Sequence, residues 1–350
     1  MNIRSIETGL CFLLLAPFAL GAPAAADGCK PLQRYTQVQL RRSDDGNQAF
    51  VPVKMDGQDK LLLLDTGGFF SEVTPQAVKT LKLHTKQSAG VELYNVSAEH
   101  SRDAATVPSF DLGRLHWDSI DFWISPGPDT LFGSSDTRVA GILAPNLLKA
   151  YDVDIDFGNN TFGLMSPDHC EGRVIYWQAS AVAVVPIQLN SDWHIIVPVT
   201  LDGITLNAMI NTGANQTTLM TQKAESAFGV TLGSADTPQI GTMPDKPTEP
   251  VYHHRFRLLS FNGIAVSNPQ IDLLPDLDRP VRDTGPAMGR LFAAQDAREF
   301  PDMMIGMDIL KHFHLYIAYK ERKLYITPAS ASAAAAPTAA APATAAPAAH

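Results

Sequence analysis

The chain has 350 residues and a net charge of -9 at pH 7, and 45% of its residues are hydrophobic. Once the two ends are set aside, this length accommodates two domains of ordinary size. An acidic chain without clusters of basic residues argues against nucleic-acid partners and against binding to anionic membrane surfaces.

Residues 1–26 predict a signal peptide. One early arginine, Arg4, precedes the apolar run GLCFLLLAPFALGA, and the small residues of PAAADG follow it. Secretory signal peptides combine such a cationic start, an apolar core of about 7–15 residues and a small-residue cleavage site. We expect cleavage near Ala26, export across the inner membrane to the periplasm and no stable membrane insertion afterwards. An uncleaved membrane anchor is the alternative, although a spanning helix needs about 20 apolar residues.

Export would leave two cysteines in the mature chain, Cys29 and Cys170. In an oxidising compartment, two cysteines allow a single pairing. We expect a disulfide bond that joins the two ends of the segment between them. Two free or buried thiols are the alternative.

The chain contains an internal repeat. VPVKMDGQDKLLLLDTG at 51–67 aligns with VPVTLDGITLNAMINTG at 197–213, with seven of seventeen positions identical and an offset of 146. Each copy predicts two strands joined by an Asp-Gly turn, which is a strong hairpin signal. Self-similarity of this kind indicates two related lobes.

The similarity continues beyond the hairpins. VTPQAVKTLKL (73–83) and LMTQKAESAFGV (219–230) each predict a short helix, and Thr74 and Pro75 suit the N-cap and first helical position of the first copy. GILAPNLLKAYDVDIDFGNNTFGL (141–164) and MMIGMDILKHFHLYIAYKERKLYI (303–326) each predict a tight turn, a short helix and two alternating strands.

These elements predict an all-β fold with short helices. We expect two homologous lobes, 30–166 and 182–328, joined by a linker at 167–181 and related by a pseudo-twofold axis. From Ala329 the chain is almost entirely alanine and proline, which predicts an extended, disordered tail over 329–350. One distinctive loop in each lobe indicates a site at the axis.

The chain is similar to the aspartic peptidases, specifically to bilobal bacterial proteins of the retropepsin-like and pepsin-like type. The similarity rests on LLDTGG at 63–68, on its counterpart NTGA at 211–214 and on the later motifs GILAPNLL and MMIGMDIL. It covers both lobes. It implies two β-barrel lobes, a peptide or protein ligand in the cleft between them, hydrolysis of peptide bonds, no cofactor and a monomer.

The resemblance also implies a role for the loop residues. Asp65 would be one of two carboxyl groups that share a proton and activate a water molecule. Thr66 and Thr212 would lock the two loops together through the axis. Gly67 and Gly213 would let backbone amides approach the carboxyl groups.

The second loop departs from the family pattern, because Asn211 stands where an aspartate is expected. Asparagine has nearly the shape of a protonated aspartate and donates through its NH₂ group, but an amide is not an acid near pH 7. We therefore expect that extended peptides bind while catalysis is impaired or absent. Two alternatives remain: an active endopeptidase that uses Asp65 with another acid, and an envelope scaffold or assembly module whose tail reaches a partner.

Two smaller departures concern the surroundings of the loops. Ala144 occupies the place that Gly306 has in the second lobe, so its methyl group is either tolerated or shifts the loop above it. Gly68 and Ala214, which follow the two triplets, provide no hydroxyl group to hold the carboxyl groups. Retropepsins also carry alanine there, so this does not argue against the family.

The family's flap, a hairpin that folds over the peptide, is expected at VELYNVSAEHS (91–101). Tyr94 would be its aromatic residue, and an ordinary hairpin tyrosine is the alternative. The matching segment of the second lobe, GTMPDKPTEPVYHH (241–254), contains three prolines and predicts a loop and no second flap. No cysteine or carboxylate completes a ligand spacing around the histidine pairs 253/254 and 312/314, so no metal site is expected.

Overall fold

The computed structural model describes residues 29–87, 93–94, 100–126, 136–243, 247–275 and 301–329. The predicted signal peptide, the tail beyond Ala329 and parts of the predicted flap (91–92 and 95–99) lie outside these residues. Strands predominate in the described residues and the helices are short, so the predicted all-β fold with two lobes is confirmed. No helix in these ranges combines the length and the apolar character needed to cross a membrane.

The first lobe is a closed β-barrel. The first half of the chain forms β1 (Arg34–Gln39), β2 (Arg41–Arg42), β3 (Ala49–Met55), β4 (Gln58–Leu64), β5 (Glu72–Val73), β6 (His84–Gln87), β7 (Leu93–Tyr94), β8 (His100–Ser101), β9 (Asp103–Leu112), β10 (Leu115–Ile124), β11 (Val139–Leu143), β12 (Asp152–Asp156) and β13 (Thr161–Met165), with α1 (Pro75–Leu81) and α2 (Pro145–Leu148). One sheet runs in the order β2-β3-β4-β11-β5-β10-β9-β6, and a further pairing between β3 and β9 closes it. Closure encloses side chains such as Leu62, Val107 and Phe122, which are fully buried.

The second lobe repeats this arrangement. Its strands are β14 (Ala183–Pro186), β15 (Gln188–Leu189), β16 (Ile195–Leu201), β17 (Ile204–Ile210), β18 (Thr218–Met220), β19 (Gln239–Thr242), β20 (Pro250–Arg255), β21 (Leu258–Phe261), β22 (Ile264–Ser267), β23 (Gln270–Leu274), β24 (Met303–Ile305), β25 (Phe313–Ala318) and β26 (Lys323–Pro328), with α3 (Thr221–Phe228) and α4 (Met307–Leu310). The sheet order is β19-β20-β23-β18-β24-β17-β16-β21-β22, and β15 pairs with β16. The β16–β21 pairing corresponds to the β3–β9 pairing of the first lobe.

Asp-Gly turns form the two hairpins that precede the candidate site. Asp56 and Gly57 join β3 to β4, and Asp202 and Gly203 join β16 to β17. All four residues have positive φ angles, of 49°, 75°, 44° and 88°, as a two-residue type I′ turn requires. The turns fix the register of each hairpin and therefore the position at which its second strand ends.

A six-stranded sheet in the order β1-β13-β12-β25-β26-β14 joins the lobes, and each half of the chain contributes three strands. Its central pair, β12 and β25, is antiparallel, with Val153 opposite Ile317. Val153, Ile155 and Ile317 are fully buried in a hydrophobic core that includes residues of both lobes. This shared core holds the lobes in one arrangement.

The other face of this sheet carries a buried polar network. Asp152, Asp154 and Asp156 alternate with the core residues of β12 and are themselves buried. The His169 ring lies 2.6 Å from the Asp152 carboxylate, and the His314 ring lies 2.6 Å from that of Asp154. These contacts supply the partners that buried polar groups need.

The predicted linker, 167–181, forms no strand and packs over this network. Its Tyr176 hydroxyl donates to the Asp154 carboxylate. Its Trp177 ring stacks on that of His314, with centroids 3.9 Å apart. The segment is therefore packed against the protein and does not span open solvent.

The predicted disulfide bond between Cys29 and Cys170 is confirmed, with the two Cα atoms 4.9 Å apart. The Cys170 amide also donates to the Lys30 carbonyl at 2.9 Å. The bond joins the start of the described chain to the 167–181 segment and so connects the two ends of the first lobe.

The prediction of a loop at 241–254 was wrong. There, β19 and β20 form an antiparallel hairpin, with Gln239 opposite Tyr252 and Thr242 opposite Pro250. Pro250 is the first residue of its strand, a position at which proline is tolerated. Pro250 therefore marks where the second strand of this hairpin begins and does not prevent its formation.

Candidate active site

The two candidate loops begin where the equivalent strands β4 and β17 end. The Asp65 amide donates to the Leu143 carbonyl at 3.0 Å, and the Asn211 amide donates to the Ile305 carbonyl at 3.0 Å. Leu143 and Ile305 are the last residues of β11 and β24, which run parallel to β4 and β17. Each loop is thus held by a pair of parallel strands, and the two pairs occupy equivalent positions in their lobes.

Thr66 and Thr212 connect the loops through four hydrogen bonds. Each backbone amide donates to the hydroxyl group of the other threonine, at 3.0 and 3.1 Å. The Thr66 hydroxyl donates to the Ile210 carbonyl at 2.7 Å, and the Thr212 hydroxyl donates to the Leu64 carbonyl at 2.8 Å. Both threonines are fully buried, so this reciprocal pattern fixes the loops relative to each other without competition from water.

Gly67 and Gly213 each lie against the candidate residue of the opposite lobe. A Cβ atom added to Gly67 would lie 2.4 Å from Asn211 Cγ, and one added to Gly213 would lie 2.3 Å from Asp65 Cγ. Both distances are far inside van der Waals contact, so neither position can hold a side chain without displacing its neighbour. The two glycines therefore allow the Asp65 and Asn211 side chains each to lie against the loop of the opposite lobe.

Asp65 is half-buried, and backbone amides surround its carboxyl group. The Gly67 amide donates to Oδ1 at 2.9 Å. Burial raises the pKa of Asp65 to about 6, although hydrogen bonds from the amides of Gly67, Gly68 and Gly213 oppose the rise. The group consequently titrates in the mildly acidic range, where a carboxyl group can both accept and release a proton.

The Asn211 side chain has a similar environment. Its Oδ1 accepts from the Gly213 amide at 2.9 Å and from the Ala214 amide at 3.2 Å. Its Nδ2 lies 3.7 Å from the sulfur of Met304. Because Oδ1 faces two N–H donors, the NH₂ group occupies the position that a second carboxylate oxygen would have. The terminal atom of Asn211 that does not face these amides, Nδ2, is therefore a hydrogen-bond donor.

A layer of side chains beneath the first loop was not identified from the sequence. The Ser71 hydroxyl donates to Asn146 Oδ1 at 2.8 Å and accepts from the Ala144 amide at 3.0 Å. Ala144 is fully buried, and a Cβ atom added to Gly68 would lie 3.3 Å from its methyl group. The absence of a side chain at Gly68 therefore leaves room for the methyl group of Ala144.

The second loop has the corresponding layer. The Thr217 hydroxyl donates to Asp308 Oδ1 at 2.7 Å and accepts from the Gly306 amide at 3.1 Å. A Cβ atom added to Gly306 would lie 2.4 Å from the Gln216 carbonyl oxygen, so alanine would not fit here. Ser71 and Thr217 are separated by the same offset of 146 as the repeat, which was the signal that could have revealed both layers.

The profile of a family described as aspartyl protease matches residues 51–143 and 197–309, which together form more than half of the chain. The chain belongs to the aspartyl protease family. Each matched segment contains one of the two candidate loops and the later strand that holds it. No curated protein matches this chain.

Many solved structures are similar to this chain. The aspartic proteinase from Irpex lacteus is 13% identical, with a TM-score of 0.46 over 85% of this chain and 98% of that chain. Basic 7S globulin from soybean is 10% identical, with a TM-score of 0.44 over 86% and 96% of the two chains. A retropepsin-like aspartic protease from Rickettsia conorii is 17% identical, with a TM-score of 0.31 over 43% and 96%.

Tyr94 of this family member lies in a short hairpin at the position predicted for the flap. Its strand pairs antiparallel with β8, so that Tyr94 stands opposite His100 and Leu93 opposite Ser101. Residues 91–92 and 95–99 lie outside the described residues. A role of Tyr94 in covering a bound peptide stays a prediction.

Three of the four histidines in the sequence pairs contact neighbouring polar groups. His253 Nδ1 lies 2.6 Å from the Asp272 carboxylate, and His254 Nδ1 lies 2.7 Å from the Thr237 hydroxyl. His314 belongs to the network on the six-stranded sheet. In the part of the chain that the structure describes, no group of three or more His, Cys, Asp or Glu side chains is arranged to hold a metal ion.

Sequence reasoning also missed Glu72, the first residue of β5. Burial raises the pKa of Glu72 to about 7; a hydrogen bond from Ser125 opposes the rise, and the charge of Asp65 adds to it. A second carboxyl group thus lies close enough to Asp65 for the two to interact. The sequence contained one signal that could have identified Glu72: the two copies of the repeat differ at this position, where the second lobe carries Thr218.

Proposed function

We propose that this chain is an exported, peptide-binding member of the aspartyl protease family whose catalysis is impaired or absent because of Asn211. The binding site is the cleft between the lobes, with Asp65 and Asn211 in the two dyad positions of a retropepsin-like or pepsin-like peptidase. One observation carries the proposal. Oδ1 of Asp65 accepts from the Gly67 amide and Oδ1 of Asn211 accepts from the Gly213 amide, both at 2.9 Å, so the two side chains occupy equivalent environments.

The chemistry of a carboxyl pair explains why binding and turnover would separate. In such a pair, the ionised group takes a proton from water while the other protonates the peptide. Asp65, with its pKa raised by burial to about 6, suits the first task. The Asn211 NH₂ group can donate a hydrogen bond to a peptide carbonyl but cannot transfer a proton to it. A peptide is therefore held without being cleaved efficiently.

Export is supported by the covalent structure of the chain. The Cys29–Cys170 disulfide bond belongs to the described fold, and such bonds persist in oxidising compartments, of which the bacterial periplasm is one. The sequence of the first 26 residues agrees with that destination. The ligand proposed for the cleft is accordingly a peptide or protein segment of the cell envelope.

The experiment compares the mature protein with its Asn211→Asp variant on a peptide library between pH 3 and 7. The unaltered protein is expected to bind peptides with little or no cleavage. The variant restores the missing acid, so its turnover should rise on the order of 10³-fold or more and be sensitive to pepstatin. An Asn211→Asp, Asp65→Ala double variant is the control and should lose that gain.

A second candidate, an active endopeptidase that uses Asp65 with another acid, is favoured by the proximity of Glu72 to Asp65. The same experiment separates the two. Pepstatin-sensitive turnover by the unaltered protein, with mass spectrometry showing no deamidation of Asn211, would contradict the first proposal and support the second. The second in turn requires that Asp65→Ala abolish the activity.

A further inference from the structure

We infer that Glu72 is a specificity-determining residue of the cleft and that it binds a lysine or arginine side chain of the peptide beside Asp65. This inference rests on the proposed function, because it requires a peptide between the lobes. It names the class of peptide and does not depend on whether the peptide is cleaved.

The strand register places Glu72 on the outer face of the barrel. Val73 is fully buried in the barrel core, and successive strand residues point to opposite faces, so Glu72 points away from the core. It stands opposite Trp123 on β10 and opposite Ile142 on β11. Paired residues on neighbouring strands share a face, so an indole ring and an aliphatic side chain flank the carboxyl group.

The Asp65 loop adds a second aromatic ring to these surroundings. The ring of Phe70, which lies between Asp65 and Glu72 in the chain, is centred 5.2 Å from that of Trp123. Glu72 thus combines apolar neighbours with a single acidic group. A lysine or arginine side chain matches this combination, because its apolar stem packs on such surfaces while its terminal group is cationic.

The charges around Glu72 point to the same ligand. Within the described residues, its interactions are with the Ser125 hydroxyl and with the negative charge of Asp65, and no basic side chain acts on it. Glu72 is half-buried, and a carboxylate that is partly removed from water without a cationic partner is costly, so this partial burial raises its pKa to about 7. A basic side chain from the peptide would supply the missing partner through a charge-assisted hydrogen bond.

The repeat predicts that this preference applies to one side of the site. Thr218 is the equivalent of Glu72 in the second lobe and is buried and uncharged. A basic residue is therefore favoured only where the peptide passes over the first lobe, and a position scan along the peptide should find one such position.

The test measures peptide dissociation constants by fluorescence anisotropy near pH 8, with peptides that carry lysine, norleucine or glutamate at each position in turn. At one position, the unaltered protein should bind the lysine peptide about tenfold more tightly than the norleucine peptide. Glu72→Gln should remove this difference between the two peptides. Glu72→Thr introduces the residue that the second lobe has at the equivalent position, and it should give the same result. It tests the inference even if Glu72→Gln does not fold.

Asp59→Asn is the matched control, because Asp59 is an exposed carboxylate of the same lobe, paired with Lys54 at the β3–β4 turn. It should keep the lysine preference. Three results overturn the inference: peptides that bind without any preference for lysine, a preference that survives both Glu72 variants, or an equal loss in Asp59→Asn. Each of these leaves the proposed function in place, whereas failure to bind any peptide overturns both proposals.

Discussion

The hydroxyl groups of Thr66 and Thr212 each accept a hydrogen bond from the backbone amide of the other residue, at 3.0 and 3.1 Å. The two residues are 146 positions apart and belong to different lobes. Each hydroxyl also donates to the last carbonyl of the opposite strand, β17 or β4. The contact between the candidate loops therefore depends on two side chains that each make two buried hydrogen bonds.

Replacing either threonine by valine should destabilise the protein by about 2 kcal/mol, because each change leaves a buried amide and a buried carbonyl without partners. The double variant should lose less than the sum of the two single losses, since both changes disrupt one network. Urea unfolding of the single and double variants measures this coupling. Thr205→Val, at an exposed position on β17, is the control and should change stability by less than about 0.5 kcal/mol. Fully additive losses would show that the two hydroxyl groups act independently.

Gly213→Ala adds only one methyl group, but it should disrupt the site strongly. The added methyl group would lie 2.3 Å from Asp65 Cγ, so the two loops must separate or the carboxyl group must move. We expect peptide affinity to fall at least tenfold and stability to fall by about 2 kcal/mol, within the range for overpacked sites. Gly241→Ala is the matched control, because a Cβ atom there meets nothing within 4 Å. An affinity equal to that of the control would show that peptides do not approach Asp65.

Features that depend on local chemistry could be predicted from the sequence. The hairpins at Asp56 and Asp202 follow from Asp-Gly turns, which restrict the backbone whatever surrounds them. The Thr66–Thr212 contact was implied by the resemblance to the aspartic peptidases, in which this residue of each loop plays the same part. The disulfide bond followed from the expectation that export leaves two of the three cysteines in the chain.

Features that depend on pairing between distant strands could not be predicted in this way. The alternation of β12 shows two faces, but it does not show that Val153 pairs with Ile317 of the other lobe or that the aspartates meet histidines. The interaction between Glu72 and Asp65 depends on how β5 is inserted between β10 and β11. At 250–255, tertiary pairing outweighed the low strand propensity of proline.

Asp65→Asn should make the protein more stable near neutral pH. The pKa of Asp65 is raised in the fold from 3.8 to about 6, mainly by burial. Its favourable contribution is therefore complete below pH 3.8 and is lost as the pH rises through about 6. Since asparagine does not ionise, the variant should equal the unaltered protein at acid pH and exceed it by about 1–2 kcal/mol near pH 8, allowing for partial solvent screening.

Urea unfolding at a series of pH values tests this expectation for Asp65. Asp59→Asn provides a control of opposite sign, because hydrogen bonding to Lys54 lowers the pKa of the exposed Asp59 carboxyl group. That variant should lose a small amount of stability above pH 3.8 and gain none. A pH-independent difference between Asp65→Asn and the unaltered protein would show that burial does not perturb this carboxyl group.

Removing the disulfide bond should lower stability without releasing the 167–181 segment. The bond closes a loop of 141 residues, so Cys29→Ser, Cys170→Ser and the double variant should each lose about 2–4 kcal/mol, mainly because the unfolded chain gains freedom. The segment itself keeps other contacts, including the pair of His169 with Asp152 and that of Asp168 with Lys320. Hydrogen exchange should therefore show the amides near Tyr176 still protected in the native state. Greater destabilisation by one single variant than by the double variant would instead indicate that an unpaired thiol disturbs the fold.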